Sequence, residues 1–90
     1  MDLVKPVIFS RHVRERMEQR GATPEEVEQA IRTAAWRPAQ RGKWHARRVF
    51  PFDAVSPVNG RHYGLKTVDA VFADNPASIV VVTAKVYYHD

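Results

Sequence analysis

The sequence contains no cysteine. That absence excludes disulfide staples, thiolate nucleophiles, zinc knuckles and iron–sulfur clusters, and it leaves four histidines as the soft ligands. His45, His62 and His89 have no paired metal-type spacing, so they read as partly exposed strand or terminal residues and no metal is expected. No apolar run approaches membrane-spanning length, and Met1 to Ser10 has no long apolar core followed by a small-residue cleavage site. The expectation is a soluble, cytoplasmic chain with no membrane partner. Glycine is scarce, at four residues, and no glycine loop shaped to cradle phosphates is present. A serine elbow and a paired-carboxylate constellation are missing too, so nucleotide, ester and glycoside hydrolysis have no support and no cofactor is expected.

Ninety residues with no repeat and no low-complexity stretch fit a single domain over 1–90 with one core. Without disulfides, stability has to come from helices packed on a sheet. The formal net charge is only +4, but its distribution is uneven. No carboxylate lies between Gln29 and Phe52, while Arg32, Arg37, Arg41, Lys43, Arg47 and Arg48 fall inside that interval. Such a segment attracts polyanions, and its arginine-rich composition favours forked contacts to phosphate. Of these, Arg37, Arg41, Lys43, Arg47 and Arg48 are the candidate nucleic-acid contacts. A solvated basic face that merely keeps the protein soluble is the plainer alternative.

Val4 to Phe9 is a short apolar stretch broken by Lys5 and Pro6, compatible with an edge strand. Ser10 and Gly21 frame Arg11–Arg20 as N-cap and C′ residue of a helix. Thr23-Pro24-Glu25-Glu26 starts a second helix with a threonine cap, proline at the first position and glutamate placed to close a capping box. Its residues Val27, Ala30, Ile31 and Ala34 recur at helical spacing, and Pro38 ends any continuation. From Lys43 onward the pattern becomes β-like. Trp44–Phe50 is one strand, a proline-containing connection ends in Asn59-Gly60, and His62–Phe72 is the next, with Gly64 marking a bulge or bend. Asp74-Asn75-Pro76 turns the chain into Ile79–Tyr88. The fold class is α+β: a short N-terminal strand, two helices, then a mainly antiparallel sheet of three to four strands packed on the helices.

On the first helix Val13 and Met17 form a narrow buried stripe. With His12 taken as zero, Arg16 lies at about 40° and Arg20 at about 80°, so the three make a polar ribbon along one border of that stripe. The same residues would serve equally as a first-turn histidine and two arginines covering the core with their stems, and Arg20 is ambiguous between packing and function. Strand alternation sorts the last strand into a core face of Val80, Val82, Ala84, Val86 and Tyr88. Its other face holds Ile79, Val81, Thr83, Lys85 and Tyr87. Thr83, Lys85 and Tyr87 therefore project a hydroxyl, an ammonium and a phenol from one side. Together with His12 and Arg16 they form a donor set suited to phosphodiester chemistry without metal. The ribose 2′-hydroxyl of RNA is a built-in nucleophile, and the protein need only move protons and stabilise the phosphoryl group. Trp36 and Trp44 flank the basic segment and suit either base stacking or the core rim, with at least one expected in the core.

The run Phe9-Ser10-Arg11-His12-Val13, through Arg16-Met17 to Arg20-Gly21, resembles the opening motif of the domain-of-unknown-function 4258 family of small bacterial proteins. The Thr-Pro-Glu-Glu-Val start of the second helix and the Val81-Val82-Thr83 to Tyr87 ending are also similar to that family. Residues 37–75 carry no part of the likeness. By fold the family is similar to the toxin ribonucleases of the RelE, barnase and colicin group, and the resemblance implies that His12, Arg16, Thr83 and Tyr87 face one cleft. The chain lacks the dense C-terminal Arg/Lys/Tyr cluster of ribosome-dependent toxins, which speaks against cleavage on the ribosome. The leading expectation is a toxin-like, metal-independent endoribonuclease. His12 would be the acid or base, Arg16 and Lys85 would stabilise charge, Thr83 would position the phosphate, and Tyr87 would donate a proton or stack. RNA would be its substrate and a small acidic antitoxin-like protein its partner. The alternatives are a non-catalytic basic module that binds nucleic acid or an acidic protein, and a structural domain with no nucleic-acid contact.

Overall fold

Ser10 ends the first strand and opens the first helix. In the computed structural model, which describes residues 5–90, β1 spans Val7–Phe9 and α1 spans Arg11–Arg20. Val4, where the sequence begins the apolar stretch, lies outside the described residues. The Val13 N–H donates to Ser10 Oγ at 3.1 Å, and the helix stops at Gly21, whose φ of 88° is left-handed. A second helix, α2 at Pro24–Thr33, starts in a closed capping box: Glu26 N donates to Thr23 Oγ1 at 3.1 Å and Thr23 N to Glu26 Oε1 at 3.0 Å. Each box residue thus satisfies a backbone donor that the first helical turn cannot.

Behind the helices runs one mixed sheet in the order β1-β5-β4-β3-β2, where β2 is Arg37–Pro38, β3 Trp44–Val55, β4 His62–Asp74 and β5 Ile79–His89. The α+β class, the short N-terminal strand and the two helices match the sequence reading; the sheet, expected as mainly antiparallel with three to four strands, differs in detail, being a five-stranded mixed sheet with one parallel pairing. Five strands are present among the described residues, because β1 adds in parallel to β5 and the two-residue β2 adds beside β3. Two residues are too few to leave a period-two signal. The third strand also continues past Pro51, which pairs with Leu65. Proline fits because β2 covers only Trp44 and His45, so from Ala46 onward β3 is an edge strand. The irregularity suggested by Gly64 falls on the opposite strand. Phe52 and Asp53 form a bulge across from Gly64, with Asp53 at a φ of 46°.

A second bulge corrects the assignment of faces on β5. Val71 pairs with Thr83 but Phe72 with Val81, so Val82 is an extra residue and the alternation reverses there. Ile79 and Val81, not Val80 and Val82, point into the core, and Val82 is exposed. Past the bulge Ala84 is buried, while Thr83, Lys85 and Tyr87 share the opposite side, as the sequence grouping has them. The core lies between the helices and one sheet face: Val13, Met17, Val27 and Ile31 meet Phe50, Val68, Phe72, Val81 and Ala84. Trp36 and Trp44 rim it, with the Trp36 indole N–H donating to Ile31 O at 2.7 Å and its ring edge-on to Phe72. Among the described residues no helix is long and apolar enough to cross a membrane.

Where α1 meets α2, polar groups are buried and paired. Lys66 Nζ donates to Gly21 O and Glu26 Oε1, both at 2.8 Å, and the Tyr88 hydroxyl donates to Arg20 O at 2.5 Å. Gly21 must be glycine on two counts, its φ and the Tyr88 hydroxyl that a Cβ would strike. A Gly21→Ala change should therefore destabilise the protein by about 2–4 kcal/mol in urea unfolding, combining left-handed strain with a displaced hydrogen bond.

Burial raises the Tyr88 phenol above its ordinary value; a hydrogen bond with Ser56 opposes this and the Glu26 charge adds to it. Phenolate is the charged form, so the unfolded chain releases the proton first. The contribution of Tyr88 to stability is complete below about pH 10 and is lost as pH rises through the higher folded value. Melting temperatures recorded across this alkaline range should fall less steeply for Tyr88→Phe than for the parent.

Candidate functional site

Helices cover one face of the sheet, and among the described residues no element covers the other. Cross-strand register arranges that open face in rows. His45, Val71 and Thr83 make the first, Arg47, Asp69 and Lys85 the second, and Val49, Thr67 and Tyr87 the third. The first two rows, together with the β2–β3 connection, form an open groove of about 840 Å³. Arg41, Lys43, His45, Arg47, Thr83 and Lys85 line it, and Asp69 is its acidic lining residue.

Asp69 organises the groove. Its side chain is only 5 % exposed, and it takes His45 Nδ1 at 3.2 Å on one oxygen and Arg47 Nε at 3.0 Å on the other. A carboxylate offers only acceptors, so in the neutral imidazole this contact favours the tautomer with hydrogen on Nδ1, which leaves Nε2 as the acceptor. Arg47 in turn lies over the Tyr87 ring, 5.5 Å from its centroid. Lys85 stands opposite Asp69 in register yet forms no ion pair among the described residues. It is an exposed, uncommitted cation at the groove wall.

Of the residues singled out from sequence, Thr83, Lys85, Arg41, Lys43 and Arg47 come together in this groove, and Tyr87 borders it through Arg47. Arg37 lines a smaller adjoining pocket of about 270 Å³ with His45 and Arg47. Arg48 turns the other way, donating to Thr33 Oγ1 on α2 at 3.0 Å and covering the Phe50 ring. His12 and Arg16 are exposed on α1, do not line the groove, and form no hydrogen bond or ion pair among the described residues. Arg20, the third member of their ribbon, is the one that reaches β5, with Nη1 3.3 Å from Thr83 Oγ1 and 2.9 Å from Ala84 O. That carbonyl lies on the part of β5 that β1 does not cover, so Arg20 caps a sheet edge as well as touching a groove residue.

His45 and Asp69 are the two groups that sequence reasoning did not single out. His45 and Arg47 are two apart on a strand and so share a face, a signal present in the sequence. Asp69 becomes their partner only through the β3–β4 register. Among the described residues no group of three or more His, Cys, Asp or Glu side chains is gathered closely enough to hold a metal ion. No protein-family model, curated protein or solved structure matches the chain. The site itself defines a basic sheet-face groove with an Asp-oriented histidine.

The orientation of His45 is open to direct measurement. Long-range proton–nitrogen correlation spectra of the neutral imidazole should show hydrogen on Nδ1 in the parent, and Asp69→Asn, whose amide can donate, should shift the population toward hydrogen on Nε2.

Proposed function

We propose that the protein is a metal-independent endoribonuclease that binds RNA along the open sheet face and cleaves it by attack of the ribose 2′-hydroxyl. The observation that carries this reading is the His45–Asp69 pair set among Arg47, Lys85, Arg41 and Lys43. His45 Nε2 takes the 2′-hydroxyl proton as the 2′-oxygen attacks phosphorus. The bond from phosphorus to the 5′-oxygen breaks, and Lys85 gives that oxygen its proton. The products are a 2′,3′-cyclic phosphate and a 5′-hydroxyl end. Arg47 and Lys85 neutralise the phosphoryl charge as it develops, and the Thr83 hydroxyl orients a non-bridging oxygen.

Arg41 and Lys43 supply contacts to neighbouring phosphates. The ribbon of Arg20, Arg16 and His12 continues the cationic track from Thr83 along α1, since residues four apart are neighbours on a helix. The likeness of this helix to the domain-of-unknown-function 4258 family, a cytoplasmic setting and an acidic antitoxin-like partner for the basic groove all belong to the same proposal.

Purified protein should cut unstructured RNA without added metal and leave cyclic-phosphate ends. His45→Ala should reduce the rate by about 10²–10⁴-fold while RNA affinity changes little. His12→Ala separates the two histidines: a comparable loss there, with His45→Ala still active, assigns the chemistry to the helix instead. Absence of cleavage by the parent on free RNA refutes the enzymatic reading and leaves the non-catalytic binding module.

A further inference from the structure

The third row of the open face differs in kind from the first two. Val49 is 53 % exposed and Tyr87 45 % exposed, with Thr67 between them in register. In the next row Pro51 and Leu65 extend the apolar surface, and His89 borders it with Nε2 2.9 Å from Thr67 Oγ1. An apolar and aromatic patch therefore begins one pleat, about 6.8 Å, from the cations Arg47 and Lys85. Valine, proline and tyrosine gathered on a solvent-facing sheet surface cost hydration free energy unless something covers them in use.

We infer that this patch is a base-binding subsite and that the preferred substrate is unpaired RNA. This rests on the reading of the groove as an RNA site and adds the substrate class to it. Charge complementarity selects the occupant. A ligand that covers Val49 and Tyr87 must also meet Arg47 and Lys85 one pleat away, so it has to present an anion and a flat apolar surface within the span of one nucleotide. An unpaired nucleotide does this, with phosphate on Arg47 and Lys85 and base on Tyr87. A duplex does not, because its phosphates face outward while its bases stay stacked and paired inside. The Arg47 guanidinium over the Tyr87 ring ties the two halves together, holding the phenol beside the groove. Base stacking of this kind tolerates any sequence, since every base has a π-face, so the subsite selects strandedness rather than base identity.

The test is binding, separated from cleavage by a fluorescent RNA strand methylated at every 2′-oxygen, which has no nucleophile. Anisotropy titrations at fixed salt should show the single strand bound about tenfold or more tightly than the same strand annealed to its complement. Tyr87→Ala should lower single-strand affinity about tenfold and Tyr87→Phe should not, because stacking needs the ring and not the hydroxyl. The salt slope should be unchanged in Tyr87→Ala but smaller by about one in Lys85→Ala, since only the latter removes a phosphate contact. Equal affinity for single strand and duplex, or an unaltered single-strand affinity in Tyr87→Ala, overturns the subsite even if the parent cleaves RNA. A single-strand preference that depends on Tyr87 upholds it even if no cleavage is found.

Discussion

The arrangement of the open face depends on one extra residue in the last strand. Ile79 and Val81 face the helices and are buried in the core, on the stretch of β5 that pairs with β1. Strict alternation from there would turn Thr83, Lys85 and Tyr87 inward as well, burying an ammonium and a phenol against Met17 and Phe72. The bulge at Val82 reverses the phase, so that Ala84 enters the core and the polar trio is delivered to the outer surface. Val82 itself emerges at the groove wall. The strand thus serves the core with its first half and the site with its second.

Features that depend on neighbours along the chain are legible in the sequence. Ser10, Gly21, Thr23, Pro24 and Glu26 set both helices because each cap is closed by residues within a turn of it. Features that depend on partners across the sheet are not. Nothing near Val82 distinguishes it from the other valines of its run; the bulge is a property of how β5 lies against β4. The parallel addition of β1 and the two-residue β2 are hidden for the same reason. Pro51 misleads by its ordinary turn preference, since its place on a bare strand edge is decided by how little of β3 the second strand covers.

The site divides in the same way. Alternation groups Thr83, Lys85 and Tyr87 correctly even though it misplaces the core side of the first half of the strand. The basic character of residues 37 to 48 is visible in composition, yet Arg47 and Arg48, adjacent in sequence, serve opposite faces: one on Asp69, the other on Thr33. Asp69 stands outside the basic segment and reads as an isolated charge in a strand. Only the register makes it the partner that fixes a histidine and an arginine together.

The parallel pairing of Val7–Phe9 with Ile79–Val81 joins segments about 70 residues apart, the widest loop the fold has to close. Both helices lie inside that loop, and the core face of β5 is the surface on which α1 rests. Closing that loop carries the largest loop-closure entropy of any pairing in the sheet, and without β5 the fold has neither a seat for α1 nor a wall for the groove. Core and site are thereby coupled, because the same strand completes the core and supplies Thr83, Lys85 and Tyr87. A molecule in which β5 is not docked therefore lacks both a closed core and an assembled groove.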